Sequence, residues 1–143
     1  MKCGAIIFDD FGSEISIYFL MLVLANLMLH ILHISTIIFN LIGWIFPKTR
    51  KAHFVFLLLT LFSWFGLGIF YGWGYCPLTD WQWQIQRNLG NFDLPHSYIK
   101  YLIDNVFSTN FPPFWTDVIT VLFFAFALIS SLKVNFFNKS KGK

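Results

Sequence analysis

From Ile15 to Phe46 the chain carries no Asp, Glu, Lys or Arg, and every Asn and His in that run falls on one helical stripe. The four are Asn26, His30, His33 and Asn40, and their spacing keeps them within a narrow arc at 3.6 residues per turn. An apolar run this long predicts a membrane-spanning helix, because about 20 residues already cross the hydrocarbon. Polar side chains at that depth face protein or a water-filled cavity, so the stripe predicts a polar seam inside a helix bundle. A helix over the whole run would be longer than the hydrocarbon is thick. It must tilt, protrude or begin near Leu20, and Pro47 is expected to end it. Two further apolar segments, about 52–73 and 117–132, also predict spans. The expected fold is an all-α integral membrane protein, a single domain over residues 1–143 with spans at about 20–46, 52–73 and 117–132.

The stretch 75–115 alternates between apolar and polar positions and predicts two short amphipathic helices at the membrane interface. Thr79 and Gln82 stand three apart, a capping-box spacing. Trp81, Ile85 and Leu89 then repeat at helical intervals and Gly90 suits a C-terminal stop, which predicts a helix over about 80–89 with its aromatic face against lipid or over the bundle mouth. A second helix is expected over 97–107, with Tyr98, Leu102 and Val106 on one face. Lys100 and Asp104, expected on the other, argue against a fourth span. Asp117 is read as a cap of the last span. The seam is expected to face Ser63, Gly66 and Thr120, with the two short helices closing its outer end.

Composition narrows the class. Of the 143 residues, 57% are hydrophobic and only 12% charged, far below the roughly one quarter that a soluble surface carries. The net charge of +3 is small, and its placement is informative. Lys48, Arg50 and Lys51 lie between the first two spans, and Lys133, Lys139, Lys141 and Lys143 follow the third. Three spans put both clusters on one side, so both are expected in the cytoplasm and the N-terminus and the 75–115 cap outside. No broad basic face for nucleic acid is present. Two distant cysteines, Cys3 and Cys76, define neither a metal site nor a disulfide scaffold, although the two could pair.

The string Gly72-Trp73-Gly74-Tyr75-Cys76-Pro77-Leu78-Thr79 resembles the Trp/Cys-Pro-Leu-Thr signature of a bacterial family of small membrane proteins, domain of unknown function 2784. The order of features also resembles that family: His33 and Gly43 in and after the first span, His53 after the basic loop, then Cys76, Pro77, Leu78 and Thr79, and a last span. The resemblance covers about residues 20–135 and implies a bacterial inner-membrane protein of unassigned activity. The chain departs from the family pattern twice. Gln82 stands where the family usually has Glu, and Tyr101 stands where it tends to have His.

The candidate chemistry centres on His30 and His33, which are i, i+3 neighbours. They could join spans by hydrogen bonds, relay protons, contact a quinone headgroup, or ligate haem or metal. A metal site is disfavoured because no other His, Asp, Glu or Cys is expected at their depth on spans two and three. His53, Arg50 and Lys51 read as lipid-headgroup contacts. Gly68 and Gly72 form a small-x-x-x-small pair that suits close helix packing within the chain or against a second copy. Cys76 would need a basic neighbour to act as a nucleophile, and none adjoins it in sequence. These residues favour a small accessory or binding subunit of a larger membrane assembly, or a homo-oligomer. The competing reading is an intramembrane histidine site for redox, proton relay, quinone or haem.

Overall fold

The computed structural model describes residues 5–137, with side chains from residue 14. Cys3 and the tail lysines Lys139, Lys141 and Lys143 lie outside the described residues. The described chain is all-helical, and three of its helices are long and apolar enough to cross a membrane. The first, α1, runs unbroken over Ala5–Ile42. It ends before Pro47, because Gly43 and Trp44 turn the chain and the Trp44 indole donates to the Leu41 carbonyl at 2.9 Å. The second, α2, covers Arg50–Tyr71. The short helices are α3, Pro77–Asn88, and α4, Tyr98–Phe107. The last span, α5, covers Pro113–Phe137.

Helix α2 widens into a π-type turn over Phe62–Leu67. The cause is the returning chain. Gly74 N donates to the Trp64 carbonyl at 3.3 Å, and Ser63 Oγ donates to the Tyr75 carbonyl at 2.8 Å. A carbonyl claimed from outside no longer closes an ordinary helical turn. Gly72 ends α2 with φ at +106°, a conformation that L side chains rarely adopt. Gly68 backs onto Trp73 of the same returning loop. Within this chain the expected Gly68/Gly72 pair makes no helix–helix contact: one glycine terminates α2, and the other makes room for the chain that follows.

That loop carries the chain back down beside α2, so α3 starts level with Ser63 and not beyond the end of the bundle. From there α3 runs antiparallel to α1: Thr79 and Gln82 meet His33, and Gln82 and Gln86 meet Asn26. The buried face of α3 is Thr79, Gln82, Trp83 and Gln86, whereas Trp81 is exposed. The amphipathic expectation is thus inverted in part. A helix beside a lipid-facing bundle turns amides inward, because hydrocarbon offers them no partner. The capping box is also replaced. Cys76 is the N-cap, Pro77 occupies the first turn, and Thr79 and Gln82 spend their side chains on α1. Pro77 suits that place, since a first-turn N–H has no helical partner to lose.

Helix α4 begins with Ser97, whose hydroxyl accepts from Lys100 N at 3.2 Å, and it ends in left-handed Ser108. Lys100 is buried, contrary to its expected place on an outer face. Its ammonium donates to Asp104 at 2.6 Å, to the Phe111 carbonyl at 2.8 Å and to Asn110 at 3.1 Å. This clamp holds the turn into α5, and the Lys100 hydrogen bond, with that from Phe111 N, keeps the Asp104 carboxyl below its usual range. Helix α5 starts at Pro113, so Asp117 lies inside the helix and does not cap it. It meets His96 instead, at 3.3 Å.

At the opposite end of the bundle, His53 joins three spans. It is fully buried, its Nε2 donates to the Asn40 carbonyl of α1 at 3.0 Å, and its Nδ1 lies 3.1 Å from Ser131 Oγ of α5. The expectation of a headgroup contact is overturned for this residue, because no lipid reaches a ring enclosed by α1, α2 and α5. Gly43 is its cradle: a Cβ there would stand 2.6 Å from the His53 ring. Lys51 is exposed beside it, and Arg50 Nε donates to the Trp44 carbonyl at 3.2 Å.

Candidate functional site

The seam of α1 divides between two places. Asn40 belongs to the His53 end, where its amide donates to Thr60 Oγ1 at 3.2 Å and its Oδ1 is buried without a partner among the described residues. Asn26, His30 and His33 face α3 and α4. They do not meet Ser63, Gly66 and Thr120. Ser63 is engaged by Tyr75, and Thr120 donates to the Thr116 carbonyl of its own helix.

His33 is the centre of the upper group and is 4% exposed. Its Nδ1 lies 3.3 Å from Gln82 Oε1. The other end of that amide, Gln82 Nε2, reaches Asn26 Oδ1 at 3.4 Å, and Gln86 Nε2 donates to the same oxygen at 3.2 Å. Asn91 donates to Gln86 Oε1 at 2.6 Å and closes the row. A carbonyl oxygen only accepts, so this row places the hydrogen of neutral His33 on Nδ1 and leaves Nε2 with a lone pair. That lone pair faces two donors, Thr79 Oγ1 at 3.4 Å and Cys76 Sγ at 3.8 Å. The basic neighbour that Cys76 lacked in sequence is therefore His33, delivered from α1 by the return of the chain after Gly72.

Aromatic rings wall the group. Tyr98 stacks on His33 with ring centroids 3.8 Å apart and planes 2° from parallel, and its hydroxyl lies 2.8 Å from His30 Nδ1. Burial, with Tyr101 alongside, raises the Tyr98 phenol above its ordinary pKa, so it stays a neutral hydrogen-bonding group. Tyr101 stacks on His30 at 5.8 Å. Trp83 packs against Tyr101 at 5.2 Å and donates to the Pro95 carbonyl at 2.8 Å. Gln86, Tyr98 and Trp83 were not singled out as site residues in the sequence. The signal available was the row of Gln side chains on one face of α3, which reads as solvent-exposed when the helix is taken to lie in the interface.

Among the described residues no group of three or more His, Cys, Asp or Glu side chains is gathered closely enough to hold a metal ion. For His33 to ligate a haem iron, Nε2 would have to leave Thr79 and Cys76. The arrangement is a neutral hydrogen-bonded site with one thiol and one imidazole lone pair. Fold and site together define a small all-α protein with three helices fit to cross a membrane and a histidine-centred polar group between the first span and a helical hairpin. A family model described as Protein of Unknown function (DUF2784) matches residues 22–136, and the chain belongs to that family. No curated protein and no solved structure matches it. Gln82 and Tyr101 both lie in this upper group.

Proposed function

We propose that the protein is an accessory or binding subunit of a larger membrane assembly, seated in a bacterial inner membrane with its N-terminus outward and its C-terminus in the cytoplasm. The single observation that carries this reading is the N-terminal third of the span Glu14–Ile42 in α1. Ile15, Ile17, Tyr18, Phe19, Leu20 and Met21 are all more than half exposed, and no helix among the described residues covers that side. The span Glu14–Ile42 also outlasts α2 by seven residues, 29 against 22, or roughly 10 Å of helix. Apolar helix surface beyond the reach of its own bundle is where a second membrane helix packs. A photoreactive residue placed at Phe19 should give one defined cross-linked product in native membranes. A chain that stays monomeric there at every light dose would end the proposal. The orientation rests on the Lys/Arg bias, with Arg50 and Lys51 as the headgroup contacts, and reporter fusions at the two termini test it.

A second reading, a quinone or proton-relay site, is favoured by His30 alone. Its Nδ1 meets the Tyr98 hydroxyl, and the ring is only half buried, so an amphiphile has a way in. Replacing His30 and His33 together by Leu should abolish any bound chromophore. A visible spectrum of the purified protein separates haem from the remaining possibilities.

A further inference from the structure

We infer that Cys76 is a nucleophilic thiol, served by His33 as base, that reacts with hydroperoxides carried on lipid acyl chains. The constellation is that of an activated nucleophile: a thiol beside an imidazole lone pair, and the imidazole fixed from its far side by an amide. Cys76 Sγ stands 3.8 Å from His33 Nε2, while Gln82 Oε1 holds Nδ1 at 3.3 Å. Cys76 is a partly exposed residue at the mouth of the group, whereas His33 is buried. Thr79 Oγ1, 3.4 Å from the same nitrogen, adds a hydroxyl beside the thiol and the imidazole.

Depth selects the reactant. His33 lies about 13 Å from the C-terminal end of α1, and Ser63, which is level with Cys76, lies about 20 Å from the start of α2, at 1.5 Å per residue. With the basic loop at one edge of a core about 30 Å thick, the thiol is near the middle. Phospholipid ester carbonyls lie at the edge of that core and do not reach it. A hydroperoxide borne part-way along an acyl chain does. The sulfur attacks the terminal oxygen of R–O–OH, and an S–O bond forms as the O–O bond breaks. The thiol proton passes to His33 Nε2 and on to the departing alkoxide, which leaves as R–OH. Sulfur is oxidised by two electrons to the sulfenic acid, and the peroxide is reduced by two.

The test uses the full chain in phosphatidylcholine vesicles prepared with or without phosphatidylcholine hydroperoxide. Dimedone traps sulfenic acid, mass spectrometry locates it, and Cys3 is the internal reference. Cys76 should be trapped at least about 100-fold faster than Cys3, the low end of what a positioned base supplies. Cys76→Ser should remove that adduct, His33→Gln should slow it about 100-fold, and Thr79→Val, which spares the imidazole, about 10-fold. Trapping of Cys76 at the Cys3 rate overturns the inference, as do unchanged rates in the His33 and Thr79 variants. Equal reaction with aqueous hydrogen peroxide overturns the lipid source.

Discussion

Two buried histidines sit at the two ends of one bundle, and they are built differently. His53 spends one nitrogen on a backbone carbonyl and the other on Ser131, a hydroxyl that Asn135 also reaches at 3.4 Å. Every partner comes from a span, and the ring is sealed by α1, α2 and α5. His33 spends its nitrogens on side chains from α3 and its N-cap, one of them the thiol of the partly exposed Cys76. The first arrangement has nowhere to send a proton and nothing to admit. The second has a lone pair, a thiol and a way in. Burial alone does not separate a fastening from a reactive site; a thiol on a partly exposed residue, set against the imidazole, does.

The largest effect should come from His53→Leu. It strands the Asn40 carbonyl in the bundle and breaks the tie between three spans, each unpaired buried group costing about 1–3 kcal/mol. Unfolding in mixed detergent micelles should show a loss of about 2–4 kcal/mol. His33→Leu should cost less, because it frees the α3–α4 hairpin and leaves the three-span contacts in place; hydrogen exchange should rise over 77–107 and not over 50–61. Equal losses spread over the whole chain would erase the distinction between the two sites.

Gly43→Ala addresses the lower site without removing a polar group. A methyl there meets the His53 ring at 2.6 Å and the Phe39 carbonyl at 2.7 Å, and the carbonyl cannot swing away as a flexible side chain would. The expected cost is about 1–3 kcal/mol, read in the same unfolding assay. An unchanged midpoint would show that His53 has more freedom than its sealed contacts imply.

The lower site was half legible in the sequence and the upper one less so, for one physical reason. Which face α3 buries depends on what surrounds it. Taken as an interfacial helix, its Trp81–Ile85–Leu89 row is the buried side and its glutamines point to water. Packed on α1 beside lipid, the glutamines become the buried side. The stripe on α1 was legible because a polar residue in a long apolar run has few places to go. Its partners were not, because the return of the chain after Gly72 depends on a positive φ and a π-type turn that no periodicity reports. His53 was misplaced for a related reason. Proximity to Lys51 suggests the membrane surface, whereas the enclosing residues, Asn40 and Ser131, are distant in sequence.

The smallest expected effect concerns the hairpin's own clamp, which tests whether the upper site is held by its histidine network alone. Asp104 accepts from Lys100 and from Phe111 N, and these bonds keep its pKa below the ordinary carboxylate value. A group depressed in the folded state contributes stability that is present above its unfolded pKa and is lost as pH falls through the folded one. Acidification from neutral pH should therefore leave the turn at 104–111 intact until the pH passes below the normal carboxylate range, and only then loosen it. Asp104→Asn should remove that acid-dependent step, and it keeps only one of the two accepted hydrogen bonds, because an amide has a single acceptor oxygen. If proteolysis or exchange at this turn rises equally with acid in the wild type and in Asp104→Asn, the clamp is not what holds the hairpin, and its order derives from the contacts of Tyr98 and Gln82 with α1.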